Sequence, residues 1–333
     1  MINVTPTLST SEAVDLVNLS AEKTALEVKG LDLFYGNKQA LFNVGMKIPK
    51  GQVTAFIGPS GCGKSTTGRT MIKLYNPTSG NVYYDGKDIF KYNHAEQKEF
   101  CKKVQMIFQN PYSSLNPRMT VKDIVGEGLK QHGMSTKDAD AKVEQLLATV
   151  GLNKDHMSRF PHEFSGGQRQ RIGIARALSV DPEFIICDEP ISALDVSIQA
   201  QVINMLKELQ EERGLTYLFI AHDLSVVKYI SDRVVVMYLG TMVETAETDE
   251  LYAHPMHPYT QALLSAIPEA DPNKAKANQR IPIKGEIPSP INPKNCCRFA
   301  ERCQHATERC FKEMPQMKEI APGHKVACHL VED

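Results

Sequence analysis

One octapeptide, Gly58-Pro-Ser-Gly-Cys-Gly-Lys-Ser65, restricts the folds open to this chain more than any other feature. It fits the pattern G-x-x-x-x-G-K-[ST] and lies between a short apolar run, residues 53–57, and a segment of helical character, residues 64–74. Glycines let backbone N–H groups close around phosphate oxygens, and a helix N-terminus favours anions. The octapeptide therefore predicts a phosphate-binding loop between a strand and a helix, with an ordinary glycine-rich turn as the alternative.

The same loop predicts the binding of Mg-ATP. Lys64 brings positive charge to the β- and γ-phosphates and is an expected catalytic residue, while Ser65 offers a hydroxyl group to Mg²⁺. The residues expected to bind the nucleotide here are Gly58, Pro59, Ser60, Gly61, Cys62, Gly63, Lys64, Ser65 and Thr66.

Two adjacent acids follow a second apolar run. Residues 184–189 read Phe-Ile-Ile-Cys-Asp-Glu, which places Asp188 and Glu189 at the carboxyl edge of a sheet, where ligands bind. Asp188 suits the holding of Mg²⁺, and Glu189 suits the polarising of an attacking water. Taken alone, such a pair could equally cap a helix.

A third motif opens a further helix. Residues 164–171 read Phe-Ser-Gly-Gly-Gln-Arg-Gln-Arg, and small residues at a helix start expose N–H groups to an anion. This motif resembles the signature of ATP-binding cassette (ABC) transporters and lies upstream of the acidic strand, as in that family. The signature residues that the resemblance assigns to nucleotide binding are Ser165, Gly166, Gly167 and Gln168.

The resemblance implies roles for four more residues, in the order of the family. Tyr35 is similar to the aromatic residue that stacks on adenine, and His222 to the histidine that contacts the γ-phosphate. Gln109 is similar to the glutamine that touches Mg²⁺ and the attacking water. Asp195 ends a loop, residues 192–195, that resembles the crossing point of a nucleotide-sandwich dimer. Taken singly, Tyr35, Gln109 and His222 each have an ordinary structural explanation.

Three longer stretches narrow the resemblance to the ATP-binding subunits of oligopeptide and dipeptide importers: residues 108–117, 189–201 and 257–264. Such importers have two ATPase subunits. Residues 61–66, Gly-Cys-Gly-Lys-Ser-Thr, and residues 110–112, Asn-Pro-Tyr, resemble the F-type subunit more than the D-type subunit. The resemblance implies a sister ATPase, two transmembrane permease subunits and an extracytoplasmic peptide-binding protein. It also implies a peripheral position on the cytoplasmic face of the cell membrane. The cargo, whether oligopeptide, dipeptide or another small solute, is left open.

Composition argues against other classes of protein. The 38 basic and 39 acidic side chains leave no basic excess for nucleic acid, and no apolar run approaches the roughly 18 residues of a membrane span. A soluble cassette ATPase of DNA repair or translation would show paired cassettes, coiled coils or basic linkers. A non-catalytic nucleotide sensor would lack the base that Glu189 supplies.

Strands that alternate with helices predict an α/β fold with a parallel sheet, here a P-loop NTPase fold of the ABC type. We expect a flexible leader at residues 1–24 and an ATPase domain at residues 25–270 with a helical insert at about 110–165. A small Pro- and Cys-rich C-terminal domain is expected at residues 271–333, with its boundary near Asp271.

Cysteines cluster in this last segment. Five of the eight lie there, and gaps of five, six and 17 residues separate Cys297, Cys303, Cys310 and Cys328. In a reducing cytosol such thiols bind a metal more readily than they form disulfides. The spacing resembles that of peptide-importer ATPases with a [4Fe-4S] cluster, which is the expectation here. Zn²⁺ and free thiols are the alternatives, and Cys296 competes with Cys297 for one ligand position.

Overall fold

The structure is a computed structural model. It describes residues 23–268, 280–286, 288–289 and 293–331. Almost all of the expected leader, residues 1–24, and the expected boundary near Asp271 lie outside these described residues. Within them, no helix combines the length and the apolar character that crossing a membrane requires.

An eight-stranded sheet forms the centre of the fold. In spatial order its strands are β11 (Lys318–Ala321), β12 (His324–Val326), β10 (Thr241–Glu247), β9 (Arg233–Tyr238), β3 (Val53–Ile57), β8 (Thr216–Ile220), β7 (Phe184–Asp188) and β6 (Val104–Ile107). The five strands from β9 to β6 are parallel, as the alternation of strands and helices predicts. Their carboxyl ends meet at one edge.

The sheet is mixed, because its other three strands are antiparallel, which the expectation of a parallel sheet did not include. Strand β10 pairs with β9 on one side and with β12 on the other, and β12 pairs with β11. Strands β11 and β12 come from the expected C-terminal domain, so this segment completes the main sheet. Glu244 of β10 pairs with Val326 of β12. Because these residues are so distant in sequence, no local sequence pattern predicts their pairing.

A smaller antiparallel sheet covers one face of the main sheet. In spatial order its strands are β2 (Lys38–Pro49), β1 (Thr24–Tyr35), β4 (Ser79–Tyr84) and β5 (Lys87–Asp88). An Asp-Gly turn joins β4 to β5, since Tyr84 pairs with Lys87 and both Asp85 and Gly86 have positive φ.

Ten α-helices occur among the described residues. They are α1 (Lys64–Met71), α2 (His94–Lys103), α3 (Pro111–Ser114), α4 (Val121–Gln131), α5 (Thr136–Thr149), α6 (Gly166–Leu178), α7 (Val196–Arg213), α8 (Leu224–Ile230), α9 (Thr248–Ala253) and α10 (Pro258–Leu264). Helices α3, α4 and α5 lie in the range given for the helical insert. Hydroxyl groups cap α4 and α5, because Thr120 accepts from Asp123 N–H and Ser135 from Asp138 N–H.

The parallel strands are buried on both faces, and their residues alternate between two hydrophobic cores. Ala55 and Ile57 of β3 point into a core shared with helices α4 to α8, whereas Phe56 points into a core shared with the small sheet. Strands β7, β8 and β9 alternate in the same way. This period of two is the reason why these strands read as continuous apolar runs.

Candidate functional site

The glycine-rich loop lies between β3 and α1, where the sequence places it. Gly58 has φ +145°, and a Cβ atom there would lie 2.2 Å from the carbonyl oxygen of Met237, so only glycine fits. Lys64 begins α1 and is buried. Its Nζ donates hydrogen bonds to the carbonyl oxygens of Gly58, at 2.8 Å, and Pro59, at 3.1 Å. The loop therefore closes around its own lysine.

Ser65 and Asp188 meet at the carboxyl edge of the sheet. Asp188 ends β7 and is fully buried, and its Oδ1 accepts a hydrogen bond from Ser65 Oγ at 2.5 Å. The guanidinium group of Arg69 lies 3.3 Å from the other carboxylate oxygen. A hydroxyl and a carboxylate oxygen in contact match the oxygen ligands that Mg²⁺ prefers.

Arg69 is a residue of this site that the sequence reading missed. It lies one helical turn after Ser65 in α1, so both side chains share one face of the helix. That spacing is the signal that could have identified it, because a cation on the face of Ser65 is directed towards the same acid as Ser65.

Glu189 directly follows Asp188 and contacts two other predicted catalytic residues, Gln109 and His222. Its carboxylate accepts a hydrogen bond from Gln109 Nε2 at 2.5 Å and is paired with His222 Nε2. The carboxylate is almost buried, whereas 43% of the His222 side chain is exposed. Glu189 has φ +48°, a conformation that costs a non-glycine residue about 1 kcal/mol or more. Such strain aims the side chain across the sheet edge.

A single cavity of about 490 Å³ connects these residues. Its walls include the loop residues Ser60, Gly61, Gly63, Lys64, Ser65 and Thr66, together with Gln109, Glu189 and His222. Tyr35 lines the outer end, where its hydroxyl group lies 3.4 Å from Thr66 Oγ1 and its ring packs edge-on against Tyr75. Three residues of β2 that were not among the predicted site residues, Lys38, Gln39 and Ala40, complete the wall.

The signature motif lies outside this cavity. Ser165 caps α6, and its side chain and that of Gln168 bond reciprocally to each other's backbone N–H. Gly167 packs so closely on α7 that a Cβ atom there would lie 2.5 Å from Ile198. The motif lines a separate cavity with Arg171, and Asp195 caps α7. The structure therefore brings the loop and the acids together but leaves the signature apart from them.

The four clustered cysteines are free thiols near one another. Burial raises the pKa of Cys297 to about 12, and the neighbouring thiols of Cys310, Cys328 and Cys303 add to that rise. Cys296 is buried beside them, with its Sγ 3.9 Å from the carbonyl oxygen of Cys297. Across the described residues, no three His, Cys, Asp or Glu side chains form a group that could hold a metal ion.

The loop between β3 and α1 and the acids at the parallel sheet edge define a P-loop ATPase. Two family models refine this class. The model described as ABC transporter matches residues 41–192, and the model described as oligopeptide/dipeptide transporter, C-terminal region, matches residues 243–310. The second match spans β10 and the first three of the four clustered cysteines.

Similar proteins cover almost the whole chain. The putative oligopeptide transport ATP-binding protein YkfD of Bacillus subtilis is 54% identical, over 92% of this chain and 95% of that protein. AppF of the same organism is 54% identical over 89% and 90%, and OppF is 53% identical over 91% and 95%. The chain belongs to the family of ABC ATPases that form the ATP-binding proteins of oligopeptide transport systems.

Solved structures confirm the predicted fold class. CbiO1 from Clostridium perfringens, part of the ABC transporter complex cbiONQ, superposes with a TM-score of 0.63 at 28% identity, covering 70% of this chain and 92% of that chain. The dimeric structure of the ATP-binding cassette MJ0796 bound to ADP and Pi gives a TM-score of 0.62 at 29% identity, over 67% and 98%. The expectation of an ATPase with an ABC-type fold is therefore correct.

Proposed function

We propose that this chain hydrolyses ATP to power the uptake of oligopeptides or dipeptides through transmembrane partner subunits. One observation carries the proposal. The Glu189 carboxylate is held between Gln109 and His222 beside the lysine and serine of the phosphate-binding loop. In-line attack on a phosphate needs an oriented water molecule, and a carboxylate held in this way can orient and polarise it. The relatives named as oligopeptide transport proteins support peptide as the cargo.

The loop residues bind the phosphates of ATP, and Tyr35 at the outer end of the cavity stacks on adenine. Ser65 and Asp188 would hold Mg²⁺, because the Ser65 hydroxyl oxygen contacts a carboxylate oxygen of the fully buried Asp188. Gln109, which lines the same cavity as Ser65, would supply a further oxygen ligand. When bound, Mg²⁺ neutralises the charge of the terminal phosphates. Lys64 adds a second positive charge there.

Glu189 polarises the attacking water and accepts a hydrogen bond from it. Gln109 and His222 hold the carboxylate in place from two sides, and His222 extends to the γ-phosphate. Because these two contacts already hold the carboxylate, little rearrangement is needed before attack.

The remaining predicted residues act on a second subunit. Ser165, Gly166, Gly167, Gln168 and Asp195 are separated from the cavity of their own chain, which supports a dimer in which each signature meets the partner's nucleotide. The dimeric structure of the similar cassette MJ0796 gives further support. We propose a sister ATPase as the partner.

The complete importer further contains two transmembrane permease subunits and an extracytoplasmic peptide-binding protein. The ATPase lies at the cytoplasmic face of the membrane as a peripheral subunit. We assign it the F-type position, which the similarity to AppF and OppF supports. The length of the cargo peptide is selected by the peptide-binding protein rather than by this chain.

Replacement of the base tests the proposal. Glu189→Gln keeps the size of the side chain but removes the negative charge, so ATP hydrolysis by the assembled importer should fall by about a hundredfold or more. ATP binding should persist, and peptide uptake into vesicles should stop. Glu247→Gln, an exposed acid at the end of β10, is the matched control. Undiminished hydrolysis in Glu189→Gln would refute the assignment.

We also propose that Cys297, Cys303, Cys310 and Cys328 bind a [4Fe-4S] cluster, with Zn²⁺ as the alternative. Four neighbouring free thiols supply the ligand type that both metals take. Their side chains do not converge on one point as a closed site among the described residues. Assembly of a cluster therefore requires a shift of these loops, and no step of ATP hydrolysis depends on it.

Metal content tests this second proposal. Protein purified without oxygen should be brown and contain iron, and Cys303→Ser should remove both the colour and the iron. Cys101→Ser is the control, because Cys101 is exposed in α2 and outside the cluster. Zinc at one atom per chain would favour the alternative, and protein with neither metal would exclude both.

A further inference from the structure

A second cavity, of about 380 Å³, lies away from the nucleotide cavity. It is bounded by β2, by the start of β10 and by the segment at residues 295–317. Most of its wall is apolar, and its larger apolar residues are Phe42, Met242, Val243, Phe299, Met314 and Met317. The volume falls in the range of small-molecule sites, roughly 300–1,000 Å³.

Arg298 places a buried positive charge in this wall. The residue is 9% exposed, and its guanidinium carbon lies 4.3 Å from the centre of the Phe42 ring. One nitrogen donates to the carbonyl oxygen of Lys294, whereas Nε is buried without a hydrogen-bond partner. No carboxylate among the described residues pairs with it. A buried charge without an ion pair is costly, and an anion bound in the cavity would offset that cost.

Among the described residues, the wall contains one strong cation, Arg298, and one carboxylate, Asp32. Burial lowers the pKa of His257 to about 4, so this imidazole is neutral, and its Nδ1 accepts a hydrogen bond from Tyr259 N–H. Asp32 already accepts hydrogen bonds from Gln39, Asn43 and Ser79. Of the described residues lining this cavity, Arg298 alone is a strong cation.

We propose that this cavity binds a small organic monocarboxylate with an apolar body. The planar guanidinium group of Arg298 matches the two oxygens of a carboxylate. Met242, Met314 and Met317 supply flexible walls that adapt to apolar bodies of different shape. A single cation does not suit the several negative charges of a nucleotide, and the apolar wall does not suit a bare inorganic anion.

Strand β2 is shared between the two cavities. Its residues Lys38 to Ala40 line the nucleotide cavity, and Phe42, Asn43 and Gly45 line the second one. Phe42 N–H donates to Gly240, and Gly240 N–H donates to Cys62 in the phosphate-binding loop, both at 2.9 Å. A ligand in the second cavity would therefore contact a strand that is hydrogen-bonded, through one residue, to the loop.

Methyl groups of methionine give a direct test on the full chain. The protein, labelled with ¹³C at the methionine methyl groups, is titrated with N-acetyl-leucyl-phenylalanine and, separately, with its C-terminal amide, which has the same body without the charge. We expect the resonances of Met242, Met314 and Met317 to shift, with the acid binding about tenfold more tightly than the amide. Met205, in the core at α7, should not respond.

Variants locate the charge. Arg298→Gln should abolish the preference for the acid, and Arg298→Lys should retain part of it. Arg309→Gln, an exposed arginine of the same segment, should leave the preference unchanged. An unshifted Met205 resonance shows that each variant is folded. Equal binding of acid and amide to the unmodified protein would overturn the proposal, as would the absence of any response at the three methionines up to millimolar acid.

Discussion

The two sides of the main sheet are built in different ways. The parallel half, formed by β3 and β6 to β9, takes its functional residues from short motifs at strand ends, such as Asp188 and Glu189. The antiparallel edge, formed by β10, β12 and β11, depends on contacts between distant residues. There Glu244 and His324, both buried, form an ion pair, and Arg233 donates to the carbonyl oxygen of Gly323 at 2.7 Å.

The two regions therefore depend on the sequence in different ways. In the parallel half, a few consecutive residues determine both the backbone conformation and the charged side chains of the site. A short motif therefore predicts both. At the antiparallel edge, Glu244 also accepts hydrogen bonds from Met256 N–H and His257 N–H, so a single acid joins three segments. Changes in the first region should affect nucleotide chemistry, and changes in the buried contacts of Glu244 in the second should affect stability.

The largest expected effect is in the parallel half. Gly58→Ala should lower the free energy of unfolding by about 4 kcal/mol and abolish ATP binding, since the added Cβ would overlap the backbone of Met237 in a conformation suited to glycine. Urea denaturation and a fluorescent ATP analogue measure the two effects. Gly51→Ala, outside the nucleotide cavity, is the control: its Cβ would meet nothing within 4 Å, so only the cost of its positive φ, about 1 kcal/mol, should appear. Equal costs would remove the steric argument.

The next effect belongs to the antiparallel edge. His324→Gln leaves Glu244 buried without its charged partner and should cost about 2–3 kcal/mol in unfolding free energy. Hydrolysis per folded molecule should not change, which distinguishes this edge from the parallel half. His254→Gln is the control, because its contact with Glu250 is exposed and should contribute less than about 0.5 kcal/mol. A loss of turnover in folded His324→Gln would contradict the division between the regions.

The same histidine gives the antiparallel edge a pH dependence. Burial lowers the pKa of His324, but hydrogen bonds and charge from Glu244 and Glu250 outweigh burial, so the folded-state pKa is raised. The stabilisation is therefore complete below the ordinary histidine pKa of about 6.5 and is lost as pH rises through the higher folded-state value. Urea midpoints across this range should fall more for the unmodified protein than for His324→Gln. Parallel curves would exclude His324 as the titrating group.

The smallest effect compares two helix caps. Ser165→Ala and Ser135→Ala each remove a side-chain cap and should each cost about 1 kcal/mol. Only Ser165→Ala should also weaken ATP-dependent dimerisation, because Ser165 is part of the signature motif, whereas Ser135 caps a different helix, α5, and is not part of the motif. Light scattering with a hydrolysis-deficient background measures the dimer. The same dimerisation defect in both variants would show that it follows from stability.

Much of the parallel half could be predicted from sequence. The apolar run before the two acids occurs as the strand Phe184–Asp188, and the helical segment expected at residues 64–74 occurs as the helix Lys64–Met71. Apolar runs between helix caps determine these elements locally. The candidate site followed from the order of its motifs, yet Arg69 was missed because its partner lies 119 residues away.

The antiparallel edge could not be predicted for the same physical reason. Strands β11 and β12 are only four and three residues long, and they owe their existence to the pairing of β12 with β10 and of β11 with β12 rather than to their own pattern. The cavity beside Arg298 likewise could not be predicted from the sequence, because its walls come from β2 and the cysteine segment, which are remote in sequence. The resemblance to peptide-importer ATPases gave a meaning to the spacing of the cysteines but did not predict the contacts around them.

The pairing of β10 with β12 has a consequence for synthesis on the ribosome. Glu244 emerges long before its partner Val326, so the nascent chain carries β10 as an open strand edge while the rest of the sheet forms. The charged side chains of Glu244 and Glu247 stand on that strand and discourage pairing with other nascent chains. Arrival of the last hairpin seals the edge, so translational pauses before it extend the period of greatest vulnerability to aggregation.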